Sequence, residues 1–361
     1  MNERERKLFQ LIKKNPYISQ QELAEALDLS RPSVANLISG LMKKGYIKGK
    51  AYILNELKEV ICIGGANIDR KFYAKVPLGE GTSNPVRSEQ NAGGVARNIA
   101  ENLGKLDVNT KLLTVSGTDK DWDYIKEASA PYMNLEDVTH FTEETTGSYT
   151  AVLDQSGDLV YGFADMEIFD LMIPEWIKAH VPVLLQARCI LADLNCPKET
   201  LAFLAQFAAS HDIPLIIVTV SAPKMERLPA ELSGVTWLIT NKTESEAFFQ
   251  GQFSMHELTA KWLESAVQNV VITNGKEGAV IGNQTEGIHH VSAVQLDEIA
   301  DVTGAGDAFS AGVAYAWLNE EELAKIAWTA VVNATKTLMS GYTVRPELSV
   351  SQLQDDMEEL K

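Results

Sequence analysis

"DVTGAGDAFSAGVAYAW", residues 301–317, is the stretch on which the fold turns. Gly304-Ala305-Gly306 is a glycine-rich loop set immediately before a helix whose apolar face includes Phe309, Val313 and Ala316. Backbone N–H groups at a helix N-terminus, bare of side chains, form a cradle for an anion. Asp307 stands at the mouth of that cradle. A carboxylate beside an anion site is electrostatically unfavourable unless it has chemistry to do there. The chemistry that suits it is taking a proton from a hydroxyl as that oxygen attacks phosphorus. A glycine-rich turn with a helix-capping Asp is the bland alternative. A lone G-x-G would favour it; a run from Asp301 to Phe309 of this kind does not. The catalytic candidates are therefore Asp307 with Gly304, Ala305 and Gly306.

Working outward, apolar runs of strand length alternate with helical segments from Glu59 onward. "EVICIGGANID", "TKLLTVSG", "VLLQARCILADLN", "PLIIVTVS", "GVTWLITN" and "NVVITNGKEGAVIG" read as strands, those dense in Val, Ile and Leu being buried on both faces of a parallel sheet. "KETLAFLAQFAASH" and "HELTAKWLESA" read as helices between them. The class is α/β, doubly wound. "TTGSYTAVLDQSGDLVYGF" instead alternates on both sides of Ser156-Gly157-Asp158, which predicts an antiparallel hairpin. With part of the segment 70–90, residues 145–163 can form a small β-sheet lid over the edge of the body.

"DVTGAGDAF" resembles the signature of the ribokinase-like (PfkB-type) carbohydrate kinases, and the resemblance covers about residues 58–350. It implies ATP as phosphoryl donor, an alcohol of a sugar or nucleoside as acceptor, Asp307 as base, and the amides around Gly304–Asp307 as stabilisers of the transferring group. Within "GGANID", it implies that Asn67 and Asp69 hydrogen-bond acceptor hydroxyls. Within "NAGGVARNIAENLGKL", it implies that Gly93 and Gly94 let backbone approach the sugar and that Asn98 reaches it from the following helix. "NKTESE" is similar to the family's N-x-x-E motif, implying that Asn241 and Glu244 organise Mg²⁺, Glu244 acting through water. One carboxylate suffices for that, because Mg²⁺ keeps several of its waters. "TNGKEGA" resembles the nucleotide loop, with Thr273, Gly275 and Gly278 along ATP, and Asn333 resembles a residue near the adenine. Some members bind a monovalent cation such as K⁺, and Asp301 stands where such a ligand would be. Val302 departs from the common pattern, where many members have Thr.

Three segments bear on the acceptor. "GTSNPVRSEQNAGGVARNIAENL", "FADMEIFD" and "VTVSAPK" together resemble pseudouridine kinases more closely than ribokinases, fructokinases or adenosine kinases. Thr219 departs from that group, where an Asp often precedes the Val-Ser. The implied reaction is phosphorylation of the ribose 5′-hydroxyl of pseudouridine, whose uracil ring carries an additional N–H. Ser83 and Asn84 have the donors and acceptors to read it, and Pro85 biases Asn84 to an extended conformation. An ordinary Asn-Pro turn is the alternative. Another nucleoside or sugar acceptor is the alternative at the level of the reaction.

The front of the chain reads differently. Residues 1–50 hold ten Lys and Arg against five Asp and Glu, whereas the rest of the chain holds 22 against 44, within a net charge of −17. A basic head on an acidic body points to a separate small domain with its own partner. Leu8, Leu11 and Ile12 recur at helical spacing; Ser19 and Glu22 form a capping box; Ser30 caps a third helix that buries Val34, Leu37, Ile38 and Leu41. "YIKGKAYIL" alternates about Gly49 like a wing. The head, residues 1–56, resembles the winged helix-turn-helix domains of bacterial transcription regulators, and the kinase-like body spans 58–361. The resemblance implies that Arg31, Ser33 and Asn36 face DNA and that Lys43, Lys44, Lys48 and Lys50 meet phosphates. A tri-helical dimerisation module is the alternative for the head, and a regulator using the body as a ligand sensor is the alternative for the whole. No apolar run nears the roughly 20 residues of a membrane span. The charged N-terminus is no secretory signal, and Cys62, Cys189 and Cys196 suggest neither a metal site nor disulfides, so a cytoplasmic protein is expected. Lid pairing in the family implies a homodimer.

Overall fold

The computed structural model describes residues 3–14, 18–44, 46–47 and 58–361. It divides into two compact units, Met1–Glu56 and Leu57–Lys361.

The first unit has three helices, α1 (Glu3–Lys14), α2 (Gln20–Leu27) and α3 (Arg31–Lys43). The chemistry that starts α2 is local: the Ser19 hydroxyl accepts from the Glu22 amide, and the Glu22 carboxylate accepts from the Ser19 amide at 2.7 Å. Asp28, at φ 51, closes it in the left-handed region. Leu8, Leu23, Val34, Ile38 and Leu41 are buried together, so each helix contributes its apolar stripe to one small core. The expected wing, with Lys48 and Lys50, lies outside the described residues.

The second unit is built on an eight-stranded sheet. Its strands are β1 (Val60–Ile63), β4 (Thr110–Leu113), β9 (Cys189–Asp193), β10 (Leu215–Val218), β11 (Trp237–Asn241), β12 (Asn269–Thr273), β13 (Ala279–Asn283) and β14 (Gly287–Val291). The order is β14-β13-β12-β11-β10-β9-β1-β4. Strands β4 through β12 of that order are parallel, and β13 and β14 are antiparallel. Alternation along β1 shows why both faces are covered. Val60 and Cys62 join the core under α4 (Val95–Lys105), α11 (Ala305–Leu318) and α12 (Leu323–Leu338), while Ile61 and Ile63 join the core under α8 (Lys198–His211) and α10 (Met255–Glu264). "VLLQARCILADLN" is only partly strand, because Val181–Leu184 forms a helical turn before β9.

The second sheet, ordered β3-β2-β7-β8, is made of β2 (Asn67–Ala74), β3 (Val86–Gly93), β7 (Ser148–Leu153) and β8 (Leu159–Asp165). Helix α5 (Lys120–Ser129) packs on β2 and β3. Strand β2 leaves the end of β1 after only three residues, which places the start of this sheet over the carboxyl ends of the main one. Connections run from β1 to β4 on one side and from β9 onward on the other. The gap between β1 and β9 is therefore a topological switch point, where open α/β sheets bind ligands.

Candidate active site

Two glycine-led helices meet at this point. Gly94, at φ 99, is the N-cap of α4, and Gly304, at φ 83, is the N-cap of α11. Both backbones need glycine. A Cβ on Gly94 would lie 2.3 Å from the Gly65 carbonyl oxygen, and one on Gly304 would lie 2.0 Å from that of Thr343. Gly306 differs: a Cβ there would meet open space, so what its hydrogen leaves is room. Helix geometry gives the first-turn amides of α11 no intrahelical partner, and they are the donors of the cradle.

Asp307, in that first turn, turns its carboxylate to α4, where the Asn98 amide nitrogen donates to it at 2.7 Å. Burial pushes Asp307 up to about 7, reinforced by the nearby charges of Asp193 and Asp69 and opposed by the Asn98 hydrogen bond. Asn98 is itself oriented. Arg97 donates to its oxygen at 3.0 Å, to the Ser129 hydroxyl at 3.0 Å and to the Ala92 carbonyl, and it pairs with Glu101. The Asn98 nitrogen is thereby left for Asp307.

Strand β2 brings Asn67 and Asp69 to the same place. The Asn67 amide donates to Asp69 at 2.7 Å, and burial pushes Asp69 up to about 6. A Cβ on Gly93 would fall 2.0 Å from an Asp69 carboxylate oxygen, so Gly93 is the space that Asp69 occupies.

Beside the first turns of α11 and α4, a cavity of about 140 Å³ is lined by Val95, Asn241, Glu244, Thr273, Gly306 and Asp307. Asn241 caps α9 (Lys242–Phe249) through a capping box with Glu244. One oxygen of buried Glu244 accepts from the Asn241 amide at 3.0 Å, from Thr240 and from Thr219. Thr219, the departure noted in the sequence, thus belongs to this carboxylate's surroundings. The Glu244 and Asp307 carboxylates beside a phosphate-sized cavity fit a Mg²⁺ that keeps most of its waters. A larger cleft of about 510 Å³ opens beyond, lined by Thr273, Gly275, Gly278, Ala305, Gly306 and an apolar wall that includes Val294 and Leu338. Its size and apolar wall suit a nucleotide.

Four of the expected residues have their side chains away from the expected position or already engaged within the protein. Asn333 does not line the cleft: it is fully buried, and its amide donates to the Ala308 carbonyl at 2.8 Å and to Asn102. Its α12 neighbours Val331, Ala334 and Thr335 line the wall instead. Asn84 lies at the far tip of the β2–β3 hairpin, beyond the Ala74–Val86 pair, while Asn67 pairs with Gly93 at the base. Seven strand steps separate those pairs, about 20 Å. The Asn84 side chain is spent locally, accepting from the Gly79 amide at 2.8 Å and donating to the Gly79 carbonyl at 3.0 Å, and Ser83 beside it is exposed. Asp301 does not offer a free carboxylate to an alkali cation. One oxygen accepts from the Thr303 amide at 3.0 Å and from its hydroxyl, and the other accepts from the Lys71 ammonium. In the first unit, Lys44 donates to both oxygens of buried Glu5, at 2.7 and 3.0 Å, so its charge ties α3 to α1. Arg31, Asn36 and Lys43 are exposed, and the Ser33 hydroxyl is 2.8 Å from that of Ser30.

Sequence reading missed Asp193, Arg97 and Lys71. Asp193 ends β9, fully buried, and accepts from the amides of Gly65 at 3.0 Å, Ala96 at 2.9 Å and Asn195 at 2.8 Å. It ties the loop after β1 to the start of α4. Lys71 was detectable because Asn67, Asp69 and Lys71 recur at every second position along one strand face.

Residues 57–347 match the pattern of the pfkB family carbohydrate kinases. The chain belongs to this family. Residues 1–48 match the winged helix-turn-helix DNA-binding pattern. An uncharacterized sugar kinase of Escherichia coli (strain K12), YeiI, is 29% identical over 355 residues, covering 97% of each chain. The pseudouridine kinase of the same organism is 28% identical over 305 residues, covering 83% of this chain and 96% of its own. The structure of Arabidopsis thaliana ribokinase complexed with ribose and ATP superposes with a TM-score of 0.74 at 19% identity, covering 83% of this chain and 99% of that one. The body is a ribokinase-like sugar or nucleoside kinase fold. No described helix is long and apolar enough to cross a membrane.

Proposed function

We propose that this kinase transfers the γ-phosphoryl group of ATP to the ribose 5′-hydroxyl of pseudouridine. The observation that carries the phosphoryl transfer is Asp307: a buried carboxylate with a value near 7, in the first turn after the glycine loop, 2.7 Å from Asn98. Asp307 takes the hydroxyl proton as that oxygen forms its bond to the γ-phosphorus and the bond to the β-phosphate oxygen breaks, releasing ADP. The amides of the Gly304–Asp307 turn receive the charge that develops on the phosphoryl oxygens. Asn67, Asp69 and Asn98 hold the ribose hydroxyls, and Gly93 and Gly94 keep the approach clear. Thr273, Gly275 and Gly278 border the nucleotide. Glu244 and Asn241 would hold a Mg²⁺ through its waters, and the ion would supply positive charge to the phosphates. Support for ATP comes from the ribokinase of the same fold complexed with it.

The acceptor rests on the three resembling segments and on the relative named a pseudouridine kinase, which matches over nearly its whole length. It no longer rests on Asn84, whose side chain is engaged in its own turn. Initial rates on a panel of pseudouridine, uridine, guanosine, inosine, ribose and fructose test it. Pseudouridine should give the highest kcat/KM; a higher value for any other acceptor assigns the enzyme to that one.

The head is proposed to bind DNA through the face of α3 that exposes Arg31, Asn36 and Lys43. A dimer would present two such heads. Strand β8, at the edge of the second sheet, exposes Leu159, Val160, Tyr161 and Phe163, with the two rings stacked at 6.2 Å, and this unpaired apolar edge is the surface proposed to join two copies. Gel retardation of DNA from upstream of the coding sequence, at two salt concentrations, tests the head; retention by unrelated DNA of equal length with equal strength removes specific recognition.

A further inference from the structure

We propose that Lys71 is a built-in cation for the phosphate loop, so that this kinase needs no monovalent metal ion where Asp301 would otherwise take one. Lys71 sits on β2, the lid strand that also carries Asn67 and Asp69 on the same face. Its ammonium group is largely covered, with the side chain 18% exposed, and it donates to a carboxylate oxygen of Asp301 and to the Thr303 hydroxyl at 3.1 Å. Thr303 donates back to the other Asp301 oxygen through both its amide and its hydroxyl. The four groups form a closed set in which each carboxylate oxygen has a partner and the charge is neutral. They lie immediately before Gly304, whose positive φ sets the cradle.

An alkali ion at this carboxylate would have to displace the ammonium or share its oxygens with it, and two cations there repel. The placement adds something a free ion lacks. The cation is attached to the lid, 230 residues distant in sequence from its partner, so ordering of the loop is coupled to the seating of β2. Lys71 is thus a positioning residue. It acts on the loop through Asp301 and Thr303.

The proposal rests on membership of the kinase family and not on the identity of the acceptor. The test uses the full chain at constant ionic strength, with tetramethylammonium, Na⁺ or K⁺ as the cation. Two readouts are taken, turnover with the best acceptor of the panel and the Kd of ADP by calorimetry, the second needing no acceptor. Wild type should stay within about twofold across the three cations in both readouts. Lys71→Met should lose about tenfold or more in tetramethylammonium and regain most of that loss with K⁺ or ammonium ions, while Lys71→Arg should stay close to wild type. The idea is overturned if wild type depends about tenfold on K⁺. It is equally overturned if Lys71→Met matches wild type without K⁺, or if Lys71→Met is folded by circular dichroism but no small cation restores ADP affinity. Absence of turnover with every acceptor, alongside cation-independent ADP binding in wild type and rescue in Lys71→Met, would sink the acceptor reading and leave this one standing.

Discussion

The starts of α4 and α11 are alike in sequence and unlike in use. Each is led by a glycine at positive φ, and each delivers a polar side chain from its opening turns, Asn98 and Asp307, which meet at 2.7 Å. At α4 the space around the glycines is filled: Gly93 gives way to the Asp69 carboxylate and Gly94 to the Gly65 carbonyl. At α11 only Gly304 is crowded, and Gly306 faces open space that borders both the small and the large cavity. The α4 entrance is therefore packed by the protein itself, while the α11 entrance is left for something the protein must admit. Glycine marks close contact at the first and vacancy at the second, and mutation can separate the two meanings.

The largest expected effect belongs to the side chain at the vacant entrance. Asp307→Asn keeps the acceptor for the Asn98 hydrogen bond and removes the base, so turnover should fall by about 10²–10⁴-fold with little change in ADP affinity. In wild type the acid limb of kcat/KM should bend near pH 7, and steady-state rates from pH 5 to 9 measure it. The same value has a stability consequence. Because the folded-state value lies above that of an ordinary carboxyl, the stabilisation it brings is complete below about pH 4 and is lost as pH rises through about 7. A gap of this size corresponds to something on the order of 4 kcal/mol. Asp307→Asn should accordingly match wild type in Tm near pH 4 and exceed it increasingly up to pH 7. A Tm difference that does not widen over that interval would show that the carboxylate is not forced into an unfavourable site.

The glycines come next. Gly94→Ala must set a Cβ against a carbonyl oxygen at positive φ, which should cost about 2–5 kcal/mol and reduce soluble yield. Gly306→Ala should leave stability within about 1 kcal/mol of wild type, since alanine is the better helix former, and still cost about tenfold or more in kcat. Chemical denaturation set beside turnover distinguishes them. If Gly306→Ala is as unstable as Gly94→Ala, the vacancy at α11 is no vacancy. Asn98→Ala is smaller still. Loss of its hydrogen bond removes a contact that holds Asp307 down, so the acid limb should move upward, with a turnover loss of several-fold at pH 7. An unshifted limb would mean that Asn98 serves the acceptor alone.

The parts of this site that could be read from sequence are those in which one short segment holds both the geometry and the chemistry. The glycine loop and Asp307 lie within one helix start, and Asn241 and Glu244 form a capping box three residues apart. Alternating apolar runs gave the parallel sheet because burial on both faces leaves its mark on every residue. Asp193 left no such mark. Its three amide partners come from the loop after β1, the start of α4 and its own loop, and only folding brings them to one carboxylate. Asn333 misled for the converse reason. A polar residue on a helix beside a ligand cleft looks the same in sequence whether it faces the cleft or, as here, satisfies Asn102 and Ala308 in the interior.

The smallest expected effect returns to the filled-against-vacant contrast at the other end of β2. Strand β2 begins at the packed entrance, with Asn67 and Asp69, and ends at the hairpin tip that Asn84 closes. If Asn84 is wholly used in that turn, Asn84→Ala removes two hydrogen bonds to Gly79 and leaves the acceptor site untouched. Stability should drop by about 1 kcal/mol, the typical net worth of such contacts in a partly exposed turn. The KM for pseudouridine, and its ratio to that for uridine, should stay within about twofold of wild type. Asp69→Asn supplies the contrast within the same strand: its side chain lies against Gly93, and KM should rise about tenfold or more. A large, pseudouridine-specific KM effect at Asn84 would require the tip to leave its turn and reach the acceptor across about 20 Å of strand, which the Ala74–Val86 pairing opposes.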